Sequence, residues 1–462
     1  MFFGRQFELA QLNQQYESKK FEFPVIYGRR RVGKTELIQE FIKDKKAIYI
    51  QGIIGKEKQN LDNLALAIYE FKHQSLPLQI SYDSIEAALE DITRLMETEK
   101  LVFVIDEFPY LAGSMPSISS ILQMYIDQKW KYLDAMLILC GSSMSFIEKQ
   151  VLSYESPLYG RGMTRYKLLP FSFKESCEFL IDVEKEDVLI YYAITNGIPY
   201  YLAMIDTSIR VIDNLKLLFL QRNSKLLEEP MNLLNMELKD PSSYFTILNA
   251  IASGASKHNE IATKAGFSTA LTSTLLDNLI ELDLVEKRLP AVSKSAKGIY
   301  YIKDSLFRFW FTFIGKHVNF IHTGRTKMVE QIIEERLSTF LGPIFEDVSR
   351  EWLLEASEIG NLNGYITEIG AWWGGNPKTK KQEEIDIIAT TTDSKVLIIG
   401  ECKWQSRATG LDVLETLTER AELFEYPHKQ LYVFSKNPFT ESAQNFAKEN
   451  QIHLIQFNKE MF

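Results

Sequence analysis

Two groups of residues in this chain have the types and spacing to do phosphate chemistry. The first runs from Gly28 through Gly33, Lys34 and Thr35 and fits G-x-x-x-x-G-K-[ST]. Glycines let backbone N–H groups curl around phosphates, and the helix that follows turns its positive end toward them. Lys34 is expected to reach the β- and γ-phosphates, and Thr35 to hold Mg²⁺. Such a loop needs an acid on a neighbouring strand. "LVFVIDEFPYL" supplies Asp106 and Glu107 after five apolar residues. Asp106 is expected in the Mg²⁺ shell and Glu107 beside the attacking water, although an Asp-Glu pair at a strand end also serves as a plain helix cap. A third apolar run, "AMLILCGSS", ends in Ser142 and Ser143. A hydroxyl there is either a γ-phosphate contact or a polar strand exit.

The second group closes "VLIIGECKW". Glu401 and Lys403 are two apart on a strand, so they share a face. Upstream, Asp386 sits in "EEIDIIATTTDS", with a turn expected at "TTDSK". The two strands then pair antiparallel and bring Asp386 toward Glu401. Carboxylates on adjacent strands can share a divalent ion, and a nearby Lys can stabilise charge on a phosphorane. Glu346, in "LGPIFEDVSREWL", is the further acid expected from the preceding helix. The bare spacing is weak: Glu17-Ser18-Lys19 repeats it in an expected helix. The alternative is a set of charges that only pair with one another.

These groups need scaffolds. The 462 residues suggest about three domains. Hydrophobic residues make up 45% and charged residues 24%, an ordinary globular profile. A net charge of −9 argues against non-specific nucleic-acid binding by the whole surface. Three cysteines without a C-x-x-C read as free thiols, and six scattered histidines give no zinc spacing. No signal peptide and no membrane span is expected, so the chain reads as cytoplasmic without a membrane partner. Strands alternating with helices around the first group imply a parallel sheet covered on both faces. Helical patterns fill 166–238. Residues 239–310 read as three helices and a hairpin, a winged helix-turn-helix. Its third helix carries Thr272, Ser273, Thr274 and Asn278 with Asp277 and Glu281, and no Arg or Lys. Its basic residues lie in the hairpin: Lys287, Arg288, Lys294 and Lys297. DNA binding by this module and a protein-contact role are both open. Near the second group, Trp372, Trp373, Lys378, Lys380 and Lys381 suggest a loop touching nucleic acid or a solvated charged loop.

The segments "FFGRQFELAQL", "GRRRVGKT", "VIDEFPYL", "LCGSSMSF", "SPLYGR" and "NGIPYYL" resemble the archaeal-type ATPases of the STAND branch of AAA+-related P-loop NTPases. The resemblance implies ATP and Mg²⁺ as cofactors and adenine contacts from Gly4, Arg5 and Pro199. It also implies that Arg161 acts near the γ-phosphate, in cis or from a neighbouring subunit. The last third resembles the PD-(D/E)XK, restriction-endonuclease-like, fold, with Ile385 where that family's leading Pro would stand. The expected architecture is α/β: a P-loop ATPase core (1–165), a helical lid (166–238), a winged helix (239–310) and a nuclease-like domain (311–462). The expected function is ATP hydrolysis coupled to action on DNA, with a metal-dependent nuclease-like domain. The alternative is a nucleotide-switched signalling or scaffold protein, a nucleotide-dependent homo-oligomer whose nuclease-like domain only binds a partner.

Overall fold

Five strands build the sheet of the first third, and the three central ones carry almost unbroken apolar sequence that needs cover on both faces. The five are β1 (Phe23–Gly28), β2 (Ala47–Gln51), β3 (Leu101–Asp106), β4 (Ala135–Gly141) and β5 (Met163–Leu168). The computed structural model describes residues 2–72, 81–292, 298–362, 364–377, 379–392 and 395–461. The five strands form one parallel sheet in the order β2-β3-β4-β1-β5. Side-chain alternation sends Val25, Phe103, Ile105 and Leu137 to one face, against helices Glu57–Lys72, Ile85–Thr98 and Ile118–Gln128. Ile26, Val102, Val104 and Ile138 go to the other, against helices Gln6–Tyr16 and Lys34–Ile42. Because every strand runs the same way, the turns after β1, β3 and β4 meet at one carboxyl edge, the usual ligand position in such sheets.

The chain divides into two compact units: residues up to Phe171 with Ile198–Ala203, and Ser172–Gly197 with the chain from Met204 onward. The second unit opens with helices, including Lys185–Thr195 and Val211–Phe219. Three further helices follow, Pro241–Ala252, His258–Ala265 and Thr269–Glu281, then a hairpin of β6 (Val285–Arg288) and β7 (Ile299–Ile302). Lys294 and Lys297 lie outside the described residues. A long helix, Lys327–Glu358, leads into a mixed sheet. That sheet holds β8 (Ile366–Gly375), β9 (Gln382–Thr391), β10 (Val396–Lys403), β11 (His428–Ser435) and β12 (Ile452–Gln456), in the order β12-β11-β10-β9-β8. The β8–β9 and β9–β10 pairs are antiparallel, and β10–β11 and β11–β12 are parallel. Helices Leu411–Ala421 and Glu441–Asn450 cover its apolar face. The tip of the turn between β9 and β10, residues 393–394, lies outside the described residues.

Two expectations about elements change. Helix Gln6–Tyr16 stops before the Glu17–Lys19 triplet, and Lys19 takes φ 56°. Trp372 and Trp373 belong to β8, paired with Ile385 and Glu384, because their large rings gain area by packing. Trp372 stacks edge-on against Phe424 at 5.1 Å. Lys378 lies outside the described residues.

Trp130 is fully buried in the first core, and its indole N–H donates to Thr93 Oγ1 at 2.8 Å. Thr93→Val keeps the shape and removes the acceptor. It should lower unfolding free energy by about 1–3 kcal/mol in denaturant titrations. An unchanged midpoint would show that the indole finds another acceptor.

Candidate nucleotide and carboxylate sites

At the carboxyl edge of the first sheet, Gly28 ends β1 with φ 153°. A Cβ there would meet the carbonyl oxygen of Leu168 at 2.3 Å, so only glycine lets β1 and β5 approach this closely. Gly33 then caps helix Lys34–Ile42 with φ 91°, again a glycine conformation. The loop folds back on Lys34, whose Nζ donates to the carbonyls of Gly28 (3.0 Å) and Arg29 (2.8 Å). Burial pushes the Lys34 ammonium pKa down, opposed by the nearby Cys140, Glu107 and Asp106. An anion entering the loop would give this ammonium stronger acceptors than two neutral carbonyls.

Asp106 is the centre of the cluster and is almost fully buried. Its Oδ2 accepts from Thr35 Oγ1 (2.8 Å) and from the Tyr49 hydroxyl (2.7 Å), and its Oδ1 accepts from the Glu107 N–H (2.8 Å). Burial and the Asp106 charge push the Tyr49 phenol well up, so it stays a donor. Glu107 takes the left-handed conformation, φ 48°, and its carboxylate accepts from the Ser142 hydroxyl (2.5 Å) and the Ser142 N–H (3.3 Å). Ser143 stands at the N-cap position of the next short helix, without a side-chain capping bond. One hydroxyl and one carboxylate at a phosphate loop are what Mg²⁺ takes from protein, the rest coming from water and phosphate. Thr35 and Asp106 fit that demand.

The sequence did not single out Tyr49 or the aromatic pair beside the loop. The Arg31 guanidinium lies over Tyr200 (4.8 Å) and Tyr201 (5.4 Å). Pro199 starts the short helix Pro199–Leu202 that carries both rings. Arg5 is structural as well as close: its guanidinium donates to the carbonyls of Val32 (3.1 Å) and Leu169 (2.5 Å) and lies over Phe171. Gly4, at φ 67°, packs against the same ring. Arg161 is elsewhere. It stands before β5, at the amino edge of the sheet, and pairs with Asp127 at 3.0 Å. Six residues of strand separate the edges, roughly 20 Å at about 3.3 Å per residue. Arg161 therefore does not join the loop cluster of its own chain.

In the second unit, Gly400 pairs with Ile387, which sets Glu401 and Asp386 one step further along β10 and β9. Asp386 accepts from the Cys402 N–H at 2.8 Å. Its carboxyl is pushed up to about 7 by burial and by the charges of Glu401 and Glu346. Burial also raises Glu346, whose partner is Arg350 at 3.0 Å. Glu401 has both oxygens taken, one by Lys403 Nζ (2.6 Å) and one by Arg420 (3.0 Å). Arg420 also reaches Glu383 at 3.2 Å. Among the described residues no three acidic, histidine or cysteine groups come together to hold a metal ion. Glu346 and Glu401 thus lie close enough for their charges to act on Asp386, while Arg350 engages Glu346 and Arg420 engages Glu401.

The helix-and-hairpin segment engages some of its polar groups within the fold and leaves others, Ser273 and Thr274 among them, exposed. Thr272 is fully buried, Asn278 donates to the Tyr244 hydroxyl at 2.7 Å, and Ser273 meets His258 at 2.9 Å. Arg288 is bound to Glu286 and, at 3.3 Å, to Asp347. Lys287 lies over Tyr300.

The parallel sheet and its phosphate loop define the fold of a P-loop ATPase. Residues 2–205 match an ATPase domain found predominantly in Archaea, and residues 310–416 match a family described as archaeal bacterial proteins of unknown function. An uncharacterized protein of Methanocaldococcus jannaschii is 35% identical over 408 residues, 88% of each chain. The chain belongs to the family of that protein. An uncharacterized ATP-binding protein of the same organism is 46% identical over 46 residues, 10% of this chain and 78% of that one. Among solved structures, a Walker-type ATPase of Pyrococcus abyssi shares the fold with a TM-score of 0.51 at 20% identity, over 67% of this chain and 96% of that one. No helix among the described residues is long and apolar enough to cross a membrane.

Arg420→Met would leave the buried Glu401 carboxylate with Lys403 alone. It should destabilise the second unit by about 3 kcal/mol in denaturant unfolding. A change under about 1 kcal/mol would mean that solvent already screens Glu401.

Proposed function

We propose that this chain hydrolyses ATP at the carboxyl edge of the first sheet and works as a nucleotide-driven switch for its second unit. The observation that carries this is the Thr35–Asp106–Glu107–Ser142 chain of hydrogen bonds beside the phosphate loop. Lys34 exchanges the carbonyls of Gly28 and Arg29 for β- and γ-phosphate oxygens. Thr35 and Asp106 would hold Mg²⁺, which would neutralise charge on the phosphates. Tyr49 keeps Asp106 turned toward Thr35. Glu107 releases Ser142, orients the attacking water and takes its proton, and the freed Ser142 turns to the γ-phosphate. Tyr200, on the helix that Pro199 starts and beside Arg31, flanks the base, the buried Tyr201 anchors that helix, and Gly4 and Arg5 brace the loop from behind.

For the second unit we propose a PD-(D/E)XK-like core, preceded by a winged-helix-like module that makes protein contacts. The occupied oxygens of Glu401 support binding over cutting. Burial of Thr272 and the Asn278 hydrogen bond to Tyr244 withdraw two polar groups of that helix from reading bases, and Ser273 and Thr274 stay exposed. A second reading, an active metal-dependent nuclease acting on DNA, is favoured by one observation. Asp386, Glu346 and Glu401 repel one another, and a divalent ion would relieve that repulsion once Arg420 and Lys403 swing away.

Lys34→Ala should abolish Mg²⁺-dependent ATP binding at the phosphate loop in calorimetry. Glu107→Gln should keep binding and lose at least about a hundredfold in steady-state hydrolysis. Equal loss of binding in both variants would contradict the assigned roles. In the same preparations, Mn²⁺-dependent cutting of DNA that disappears in Asp386→Ala and Lys403→Ala would replace the binding role with the nuclease one.

A further inference from the structure

The first unit has a second concave site, on the edge of the sheet opposite the phosphate loop. It is a cavity of about 680 Å³, within the range of small-ligand sites. Four of its lining residues are cationic, Lys19, Lys20, Lys131 and Arg161, against one carboxylate, Asp127. The chain as a whole carries −9, so this concentration of positive charge runs against its average.

The charges are not spent. Asp127 is taken by the Arg161 Nη2 at 3.0 Å, and that guanidinium holds the Asp127 carboxyl below its usual range. The Arg161 Nη1 donates to the carbonyl of Tyr159 at 2.5 Å, whereas its Nε is buried with no partner. A buried N–H without an acceptor is a group that a bound water or ion would satisfy. Lys19, Lys20 and Lys131 form no ion pair among the described residues. Tyr132 stands beside them, 74% exposed, with the Lys131 ammonium 4.9 Å from its ring centre. An exposed ring flanked by free cations is the arrangement that stacks a base and holds its phosphates.

We propose that this amino-edge cavity binds a nucleotide unit, its base on Tyr132 and its phosphates among Lys19, Lys20, Lys131 and Arg161. Single-stranded nucleic acid and a free nucleotide share this chemistry. The site stands apart from the hydrolytic one: strand length alone separates them by roughly 20 Å. It does not rest on the reading of the phosphate loop.

The test uses the full chain in EDTA, with fluorescein-labelled dT12 followed by anisotropy across a salt series. A second arm titrates a fluorescent ATP analogue into the Lys34→Ala chain, where the phosphate loop is disabled. Binding should appear in at least one arm. Lys131→Glu and Tyr132→Ala should each weaken it about tenfold. The paired change Lys19→Glu, Lys20→Glu should flatten the dT12 salt slope by about 0.7 for each phosphate that is no longer neutralised. Lys34→Ala should leave dT12 binding at the wild-type level. Binding in the dT12 arm alone assigns the site to nucleic acid, and in the analogue arm alone to a free nucleotide. The proposal is overturned by binding in neither arm, or by binding that survives all three changes. It is equally overturned if Arg161→Gln abolishes only ATP-dependent self-association and neither probe binds, which would make the cavity a contact between copies.

Discussion

The first unit depends on one buried carboxylate. Asp106 sits at the end of β3 with almost no exposure, where an unpaired charge would be costly. It is tolerated because three elements each supply a donor: Thr35 from the helix after the loop, Tyr49 from β2, and the Glu107 N–H from its own turn. Those donors converge only if β2, β3 and β1 keep their parallel register, so the packing of the sheet and the chemistry of the loop are one constraint. The left-handed Glu107 follows directly. Its backbone turns to serve Asp106, and its side chain is thereby aimed at Ser142 just after β4.

A different balance governs the second unit. There the carboxylates are matched by cations in place of neutral donors. Arg350 holds Glu346, Arg420 bridges Glu401 and Glu383, and Lys403 closes on Glu401. Such pairs cost desolvation and repay it only with good geometry. Asp386 is the exception, with a single backbone donor and a carboxyl raised to about 7 by burial and its acidic neighbours. The contrast explains why the two sites are assigned different work. The first has its acid tied to hydroxyls that an incoming ion can share. The second has its principal acid tied to charges that an incoming ion must displace.

Much of the first site was legible because it is written along the chain. Gly28 to Thr35 is a continuous spacing, and Asp106-Glu107 follows an unmistakable buried strand. Tyr49 was not legible, because its meaning depends on which strand lies beside β3. The Arg31 stack on Tyr200 and Tyr201 joins residues some 170 positions apart, which no local pattern encodes. Arg161 could have been placed with one further step: a residue just before a strand of a parallel sheet lies at the amino edge, away from the loop. In the second unit the strand pairing of Asp386 with Glu401 could be read from alternation and a turn. Arg420 could not, since it arrives from the helix packed over the sheet, and it decides what Glu401 is free to do.

The most direct test of the Asp106 account is calorimetric titration of ATP, with and without Mg²⁺, into wild type and Asp106→Asn. The account predicts that Mg²⁺ strengthens ATP binding to wild type. In Asp106→Asn, the affinity without Mg²⁺ should persist and the strengthening by Mg²⁺ should vanish. An equal gain from Mg²⁺ in both proteins would contradict it, and would make Asp106 a structural anchor of the sheet alone.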